Sequence, residues 1–207
     1  MIIGLNGRLR SGKDTTFHLI NEMYGDEFKI QQVSFAAKLK DSAAASIGVT
    51  RAVLEELKND EDLYFILYRR KKLQTSNVQE DRAVRFNVRE YLQWYGTEGH
   101  REIFGDDFWV DQALPLDKDY SDGLYVVTDM RFPNEVQRVK DLNGLCVKVE
   151  RESATAHGEH ASEQNLDHMI DYVLDNTGSL DDLRNHIAEM FDLTIATNGR
   201  VLNAITG

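Results

Sequence analysis

The sequence predicts an α/β protein with a mainly parallel central sheet and helices on both faces. Three observations predict it. Apolar, strand-like runs alternate with segments of helical periodicity along most of the chain. The first such run, MIIGLN, passes through a glycine-bounded turn straight into a helical pattern. Finally, 207 residues, of which 42% are hydrophobic, suffice for one domain with a substantial core.

Taken in order, MIIGLN reads as a buried strand, residues 7–12 as a loop, and KDTTFHLINEMYG as an amphipathic helix. Phe17, Ile20 and Met23 fall at helical spacing there, and Gly25 stops the helix. KIQQVSF reads as a second strand and AAKLKDSAAASIG as a helix. Between residues 51 and 89 the composition changes. LEELKNDEDLYFILYRRKKLQTSNVQEDRAVRF alternates acidic and basic blocks without strong strand character, which reads as helices plus a mobile, charged connection. Residues 51–105 are therefore expected to form a helical, lid-like or acceptor-site segment within a single domain spanning residues 1–207.

NVREYLQWYGTEGHREIFGDDFWVDQAL is helical in pieces, interrupted at Gly96 and Gly105. GLYVVTD is a buried strand, FPNEVQRVKDLNG a helix with Gly144 past its end, and LCVKVER another strand. A polar loop follows, then IDYVLDN as a last strand. SLDDLRNHIAEMF is a helix with Ser179 as its N-cap and two aspartates in the first turn. The tail LTIATNGRVLNAITG shows no pattern beyond a turn at Asn198-Gly199. Ligands of such sheets gather at the carboxyl ends of the strands.

Charge and cysteine content narrow the functions. The chain carries 24 Lys and Arg against 35 Asp and Glu, a formal charge of −11. Such a surface repels nucleic-acid backbones and anionic lipid, so a polyanion must be met in a local basic pocket. Cys146 is the only cysteine, which excludes an intramolecular disulfide and a multi-cysteine metal site and suits the cytoplasm. The N-terminus lacks the basic region and apolar segment of a signal peptide, and no run approaches a membrane span.

Chemistry concentrates first in GRLRSGKDT, residues 7–15. The spacing nearly matches Gly-x-x-x-x-Gly-Lys-Ser/Thr, in which backbone N–H groups curl round a phosphate at a helix N-terminus. Gly7 and Gly12 supply the unusual backbone angles, and Lys13 supplies the point charge. The Gly-x-Gly-x-x-Gly spacing of a dinucleotide site is absent. Asp14 stands where a hydroxyl is expected; it either ligates Mg²⁺, directly or through water, or only favours the helix N-terminus by its charge. Thr15 and Thr16 remain for phosphate contacts.

A second centre is LYVVTDMRFPNE, where an apolar strand ends in Asp129 with Arg131 two residues on. The acid is placed for a metal or nucleotide, or it caps a helix. The guanidinium suits a transferring or acceptor phosphate. The run Arg69-Arg70-Lys71-Lys72 reads as a solvated face or as a lid closing over phosphates. His157, His160 and His168 with Glu159 and Glu163 match no strong metal template and read as a polar loop near the nucleotide.

These residues resemble the bacteriophage deoxynucleoside monophosphate kinases. The Gly-Lys-Asp-Thr variant is shared, as are SFAAKLKD, VREYLQWYGTEGHREIFGDDFWV, VVTDMRFPNEVQRVKDLNG, VKVERE, HASE and DNTGSLDDL, in the family's order. The likeness spans most of residues 1–190, is vague over 51–86, and leaves the tail after Phe191 as an addition. It implies a three-layer P-loop NTPase fold of the nucleoside-monophosphate-kinase kind. The activity implied is ATP- and Mg²⁺-dependent phosphorylation of deoxynucleoside 5′-monophosphates in the host-cell cytoplasm.

Carried over by position, Gly7, Arg10, Ser11, Gly12, Lys13, Asp14, Thr15 and Thr16 hold the ATP phosphates. Lys40, Arg89, Gly96, Thr97, Trp109, Asp129, Arg131 and Glu135 fall on the monophosphate side. A monophosphate is already an anionic nucleophile, so no general base is demanded; Lys13, Arg131 and Arg89 supply catalytic positive charge, with Lys40 nearby. Trp109 offers a stacking face for a base, or else a core residue. Gly96-Thr97 doubles as a helix break, and Arg89 as half of a surface pair with Glu90 or a nearby acid.

The expected partners are dNMP and ATP, with neither nucleic acid nor membrane; a homodimer stays open. The rival readings are another Gly-Lys-Asp kinase, such as a phosphomevalonate-kinase-like protein, a non-catalytic nucleotide-binding module, and a nucleic-acid-stimulated ATPase, which the charge disfavours.

Overall fold

A computed structural model describes residues 1–58, 60, 63–72, 79–151 and 166–205. The chain divides into two compact units, Met1–Phe35 with Val110–Gly207, and Ala36–Trp109.

The first unit is built on five strands: β1 (Ile2–Asn6), β2 (Ile30–Val33), β5 (Leu124–Met130), β6 (Leu145–Glu150) and β7 (Tyr172–Asp175). They pair in the order β2-β5-β1-β6-β7, every pairing parallel. A central parallel strand is covered on both faces, which is why β1 and β5 are apolar almost throughout. Successive side chains point to opposite faces. Ile3, Val126 and Val147 join one cluster with Leu19 and Ile20 of α1 (Lys13–Tyr24) and Leu183, Ile187 and Met190 of α8 (Leu180–Ile205). Ile2, Tyr125 and Cys146 join the other with Val136 and Val139 of α7 (Pro133–Asp141) and with Val110 and Leu114. Helices therefore cover both faces, giving the three layers expected.

From β1 the chain crosses to the edge at β2, returns to β5 beside β1, and then passes to β6 on the other side. The order reverses at β1, so its carboxyl end faces the crevice in which such sheets take ligands. The register with β5 shifts between Gly4 and Asn6 at that end. There the Asn6 side chain donates to the Met130 carbonyl at 2.9 Å. Ser179 and Asp182 cap α8 reciprocally: the Asp182 carboxylate accepts the Ser179 N–H at 2.8 Å and the Ser179 hydroxyl accepts the Asp182 N–H at 3.2 Å. The helix then continues through Asn198-Gly199, where a turn was expected.

In the second unit, α2 (Phe35–Ser46), α3 (Arg51–Leu57) and α4 (Val88–Gly96) meet around Ala43, Ala44, Leu54, Val88 and Tyr91. The expectation of helices and a mobile connection fails between them. Tyr64–Lys72 and Gln79–Asn87 pair instead as an antiparallel hairpin, β3 and β4. Its register sets Arg70 opposite Asp81 and Lys71 opposite Glu80. Arg69 faces Arg82, so the charge blocks meet across the ladder with both like and opposite signs. Asn87 ends β4 and opens α4 through a capping box with Glu90. The helix is not interrupted at Gly96 but runs into a π-helical turn, Thr97–Arg101, and then α5 (Glu102–Phe104), which Gly105 ends at φ 104°. The chain re-enters the first unit through α6 (Phe108–Ala113). Among the described residues no helix is long and apolar enough to cross a membrane.

Candidate active site

The loop between β1 and α1 is shaped by two left-handed glycines. Gly7 has φ 149°, and a Cβ on it would lie 2.5 Å from the Ser11 hydroxyl and 2.6 Å from the Val149 carbonyl. Gly12 has φ 101°, and a Cβ there would run into the side-chain amide of Asn176. Neither position accommodates a side chain. The Gly12 carbonyl accepts the Thr16 N–H at 2.8 Å and the Thr16 hydroxyl at 3.0 Å. Since C=O and the next N–H of a trans peptide point in opposite directions, these bonds turn the Lys13 N–H outward from the start of α1. Thr16 is fully buried by this arrangement, so Thr15, which is exposed, is the threonine open to a phosphate.

Lys13 is half-buried, and its Nζ donates to the carbonyls of Gly7 at 2.6 Å and Arg8 at 2.9 Å, closing the loop into a ring. Burial lowers its pKa, and the Arg131 guanidinium lowers it further; Asp14 and Asp129 act in the other direction. That coupling is the chief electrostatic fact of the site. It brings the two separate motifs, the loop of residues 7–15 and the end of β5, within each other's field. Asp14, Arg8 and Arg10 are exposed, Arg10 with φ 65°.

At the end of β5, Asp129 accepts the Ser34 hydroxyl at 2.7 Å and the Phe35 N–H at 2.9 Å. Its carboxylate thus secures the start of α2, the capping alternative, while still acting on Lys13. Glu135 was expected to touch substrate, but it is 3% exposed, and its Oε2 accepts the backbone N–H groups of Arg131 at 2.6 Å and Phe132 at 3.0 Å. One buried carboxylate therefore fixes the turn that presents the exposed Arg131. Glu135→Ala is expected to cost about 1–3 kcal/mol, because two N–H groups lose a charged acceptor; chemical-denaturation midpoints measure it.

The monophosphate-side residues of the second unit are placed as follows. Lys40 pairs with Glu55 at 2.6 Å, so its charge is already met. Burial pushes the Glu55 carboxyl up, but Lys40, Lys58 and Arg51 outweigh it and hold the pKa below the ordinary value. Arg89 is exposed in the first turn of α4, and Glu90 beside it is occupied by the capping box, so the anticipated Arg89–Glu90 pair is not made. Thr97 is exposed at the start of the π-helical turn.

Of the two readings of Trp109, its burial is that of the core residue. It is 3% exposed, its indole N–H donates to the Gly96 carbonyl at 3.1 Å, and the His100 ring lies 4.8 Å away. Gly96 is buried, and a Cβ on it would require the Leu39 side chain to shift, with the indole at contact distance. Both residues pack within the second unit. The side chains of Arg69, Arg70, Lys71 and Lys72 lie outside the described residues, as do His157, His160, Glu159 and Glu163. Among the described residues no three His, Cys, Asp or Glu converge as a metal site.

Sequence reading missed Asn176 and Ser34. Asn176, 6% exposed, donates from Nδ2 to the Ser11 carbonyl at 2.7 Å. Its signal was a polar residue directly after a strand, in the DNTG block; its partner lies 165 residues away.

A family model described as Deoxynucleotide monophosphate kinase matches residues 50–187, more than half of the chain. The Deoxynucleoside-5′-monophosphate kinase of Escherichia phage T5 is 25% identical, over 80% of this chain and 85% of that protein. A Putative deoxynucleotide monophosphate kinase of Acanthamoeba polyphaga mimivirus is likewise 25% identical, over 93% of this chain and 96% of that one. Among solved structures, the dephospho-CoA kinase of Campylobacter jejuni aligns with a TM-score of 0.45 at 15% identity, over 95% of this chain and 98% of that one. On the family match, the chain belongs to the deoxynucleotide monophosphate kinase family and is a phosphotransferase acting on deoxynucleoside monophosphates.

Proposed function

We propose that the chain transfers the γ-phosphoryl group of ATP to a deoxynucleoside 5′-monophosphate, giving a diphosphate and ADP and so supplying DNA precursors. The observation that carries the site assignment is the parallel pairing of β1 with β5, which sets the loop of residues 7–15 and the turn bearing Arg131 at neighbouring carboxyl ends; there the Arg131 and Asp129 charges act on Lys13. An oxygen of the acceptor's phosphate attacks the γ-phosphorus, and the bond to the β,γ-bridging oxygen breaks as ADP leaves. The attacking oxygen is already anionic, so the residues position and neutralise rather than remove a proton.

In this reading the outward N–H groups of Gly12 and Lys13 and the Thr15 hydroxyl hold the β- and γ-phosphates, with Arg10 at the loop's exposed rim. Lys13 exchanges its carbonyl partners for phosphate oxygens, and Arg131 sits on the transferring or acceptor phosphate. Glu135 acts behind it. Arg89 and Thr97 are the remaining acceptor-side contacts, Lys40 answering only if the acceptor displaces Glu55.

Mg²⁺ fits the donor set. Asp14 is a hard, exposed oxygen ligand coupled to Lys13, and this ion characteristically takes one or two carboxylates and fills its shell with phosphate oxygens and water. When bound, the ion would neutralise charge on the phosphates. We place the activity in the cytoplasm. Cys146 is buried, and burial, then Asp171, push its thiol up to about 12.

The test is ADP release with a panel of dNMPs and the matching NMPs, with and without EDTA. Turnover with one or more dNMPs, abolished by EDTA and restored by Mg²⁺, is expected. Failure of every dNMP overturns the reading. ATP binding without acceptor-dependent turnover would make the chain a binding module instead.

A further inference from the structure

We propose that Asn176 is a positioning residue for nucleotide binding: its side-chain amide aims the Gly12 N–H at the nucleotide phosphates. The inference rests on the reading of residues 7–15 as the phosphate loop. Asn176 stands one residue beyond β7, and its own N–H donates to the Glu150 carbonyl at 2.8 Å, which ties it to the end of β6. From this buried position Nδ2 reaches the Ser11 carbonyl at 2.7 Å. Ser11 C=O and Gly12 N–H share one planar trans peptide and point in opposite directions. Holding the carbonyl against buried Asn176 therefore turns the Gly12 N–H outward. Flipped, the same peptide would present an oxygen dipole to a polyphosphate and withdraw a donor.

Nothing local sets this peptide. The Ser11 side chain is 1% exposed, and its hydroxyl has no hydrogen-bond partner among the described residues. The Ser11 N–H donates back to Arg8 O at 3.1 Å, which orients the preceding peptide instead. Gly12 must lack a Cβ because the Asn176 amide occupies that space. The following peptide, by contrast, is aimed locally by Thr16. Two successive N–H groups thus have two supports, one inside α1 and one brought by the far end of the sheet. An uncharged amide suits the second support: it donates to the carbonyl without competing for the phosphates as a cation or repelling them as a carboxylate.

The variants are Asn176→Asp, which keeps the volume but presents oxygen to the Ser11 carbonyl, and Asn176→Ser, which removes the reach. Each is measured for KM of ATP, Kd of ADP by calorimetry, KM of the best dNMP, and thermal unfolding. The expected result is a rise of about tenfold or more in ATP KM and ADP Kd, the effect of losing about one hydrogen bond to a buried group, with dNMP KM within about twofold. A folded variant with unchanged ATP and ADP parameters overturns the inference. So does an equal loss for both substrates with a lowered melting temperature, or failure of both variants to fold, since either makes Asn176 a support of the fold alone. Lys13→Ala run in parallel separates the two levels: if it leaves ATP parameters normal, the loop reading itself fails, and if it is defective while Asn176→Asp is normal, only this inference fails.

Discussion

Lys13→Ala is expected to lower kcat/KM by about a thousandfold or more while leaving the protein folded, since one preorganised charge at a reacting phosphate commonly contributes 10²–10³ or more. The loss has two sources. The ammonium that meets the phosphates disappears, and so do the bonds to the Gly7 and Arg8 carbonyls that close the loop. Folding is spared because the charge is held at a cost: burial and Arg131 depress its pKa below 10.5. For a lysine so depressed, the unfolded chain binds the proton more tightly than the native one. Stability therefore rises with pH between the lowered native value and 10.5, and the variant lacks that alkaline gain. Steady-state kinetics and thermal melts across pH 7–10.5 check both parts. Near-normal turnover would remove residues 7–15 from the role of phosphate loop.

Arg131→Ala is expected to lower kcat by about 10³-fold, in the range of arginines that stabilise phosphoryl transfer, with Kd for ATP changed about twofold or less. Arg131 is exposed, and among the described residues no carboxylate pairs with its guanidinium. Its backbone is fixed by Glu135 at 2.6 Å, so the side chain starts from a rigid base. On the proposed reading, a group placed this way serves the transition state without being consumed by a structural ion pair. Arg131→Lys is expected to recover little, because an ammonium cannot reproduce the two-pronged geometry of a guanidinium on a phosphate. Calorimetric ATP binding beside single-turnover rates separates the two effects, and an unchanged rate would take Arg131 out of the site.

Local patterns in the chain carried much of this. The β1–loop–α1 unit, the Asp129–Arg131 strand end and the Ser179 cap each rest on neighbours in sequence, so periodicity and residue chemistry disclose them. Glu135 was found in its block, and a glutamate three residues after a helix entry is also a capping signature, which the backbone bonds at 2.6 and 3.0 Å display. Trp109 was left between a stacking face and a core residue, since a lone aromatic residue does not reveal which surface covers it; it is 3% exposed. The β3–β4 hairpin was missed because blocks of charge cover much of each strand and leave little apolar alternation to mark it.

By itself, then, the sequence determined the α/β class, the glycine-bounded loop with its Asp14, and the acid–arginine pair at the end of the apolar strand. All of these are written in contiguous residues. Only the tertiary structure decided the order β2-β5-β1-β6-β7, the electrostatic meeting of Lys13 with Arg131, and the buried bond from Asn176 to Ser11. Those depend on which distant strands pair, and pairing is chosen by burial summed over the whole sheet, a quantity that no short window of residues contains.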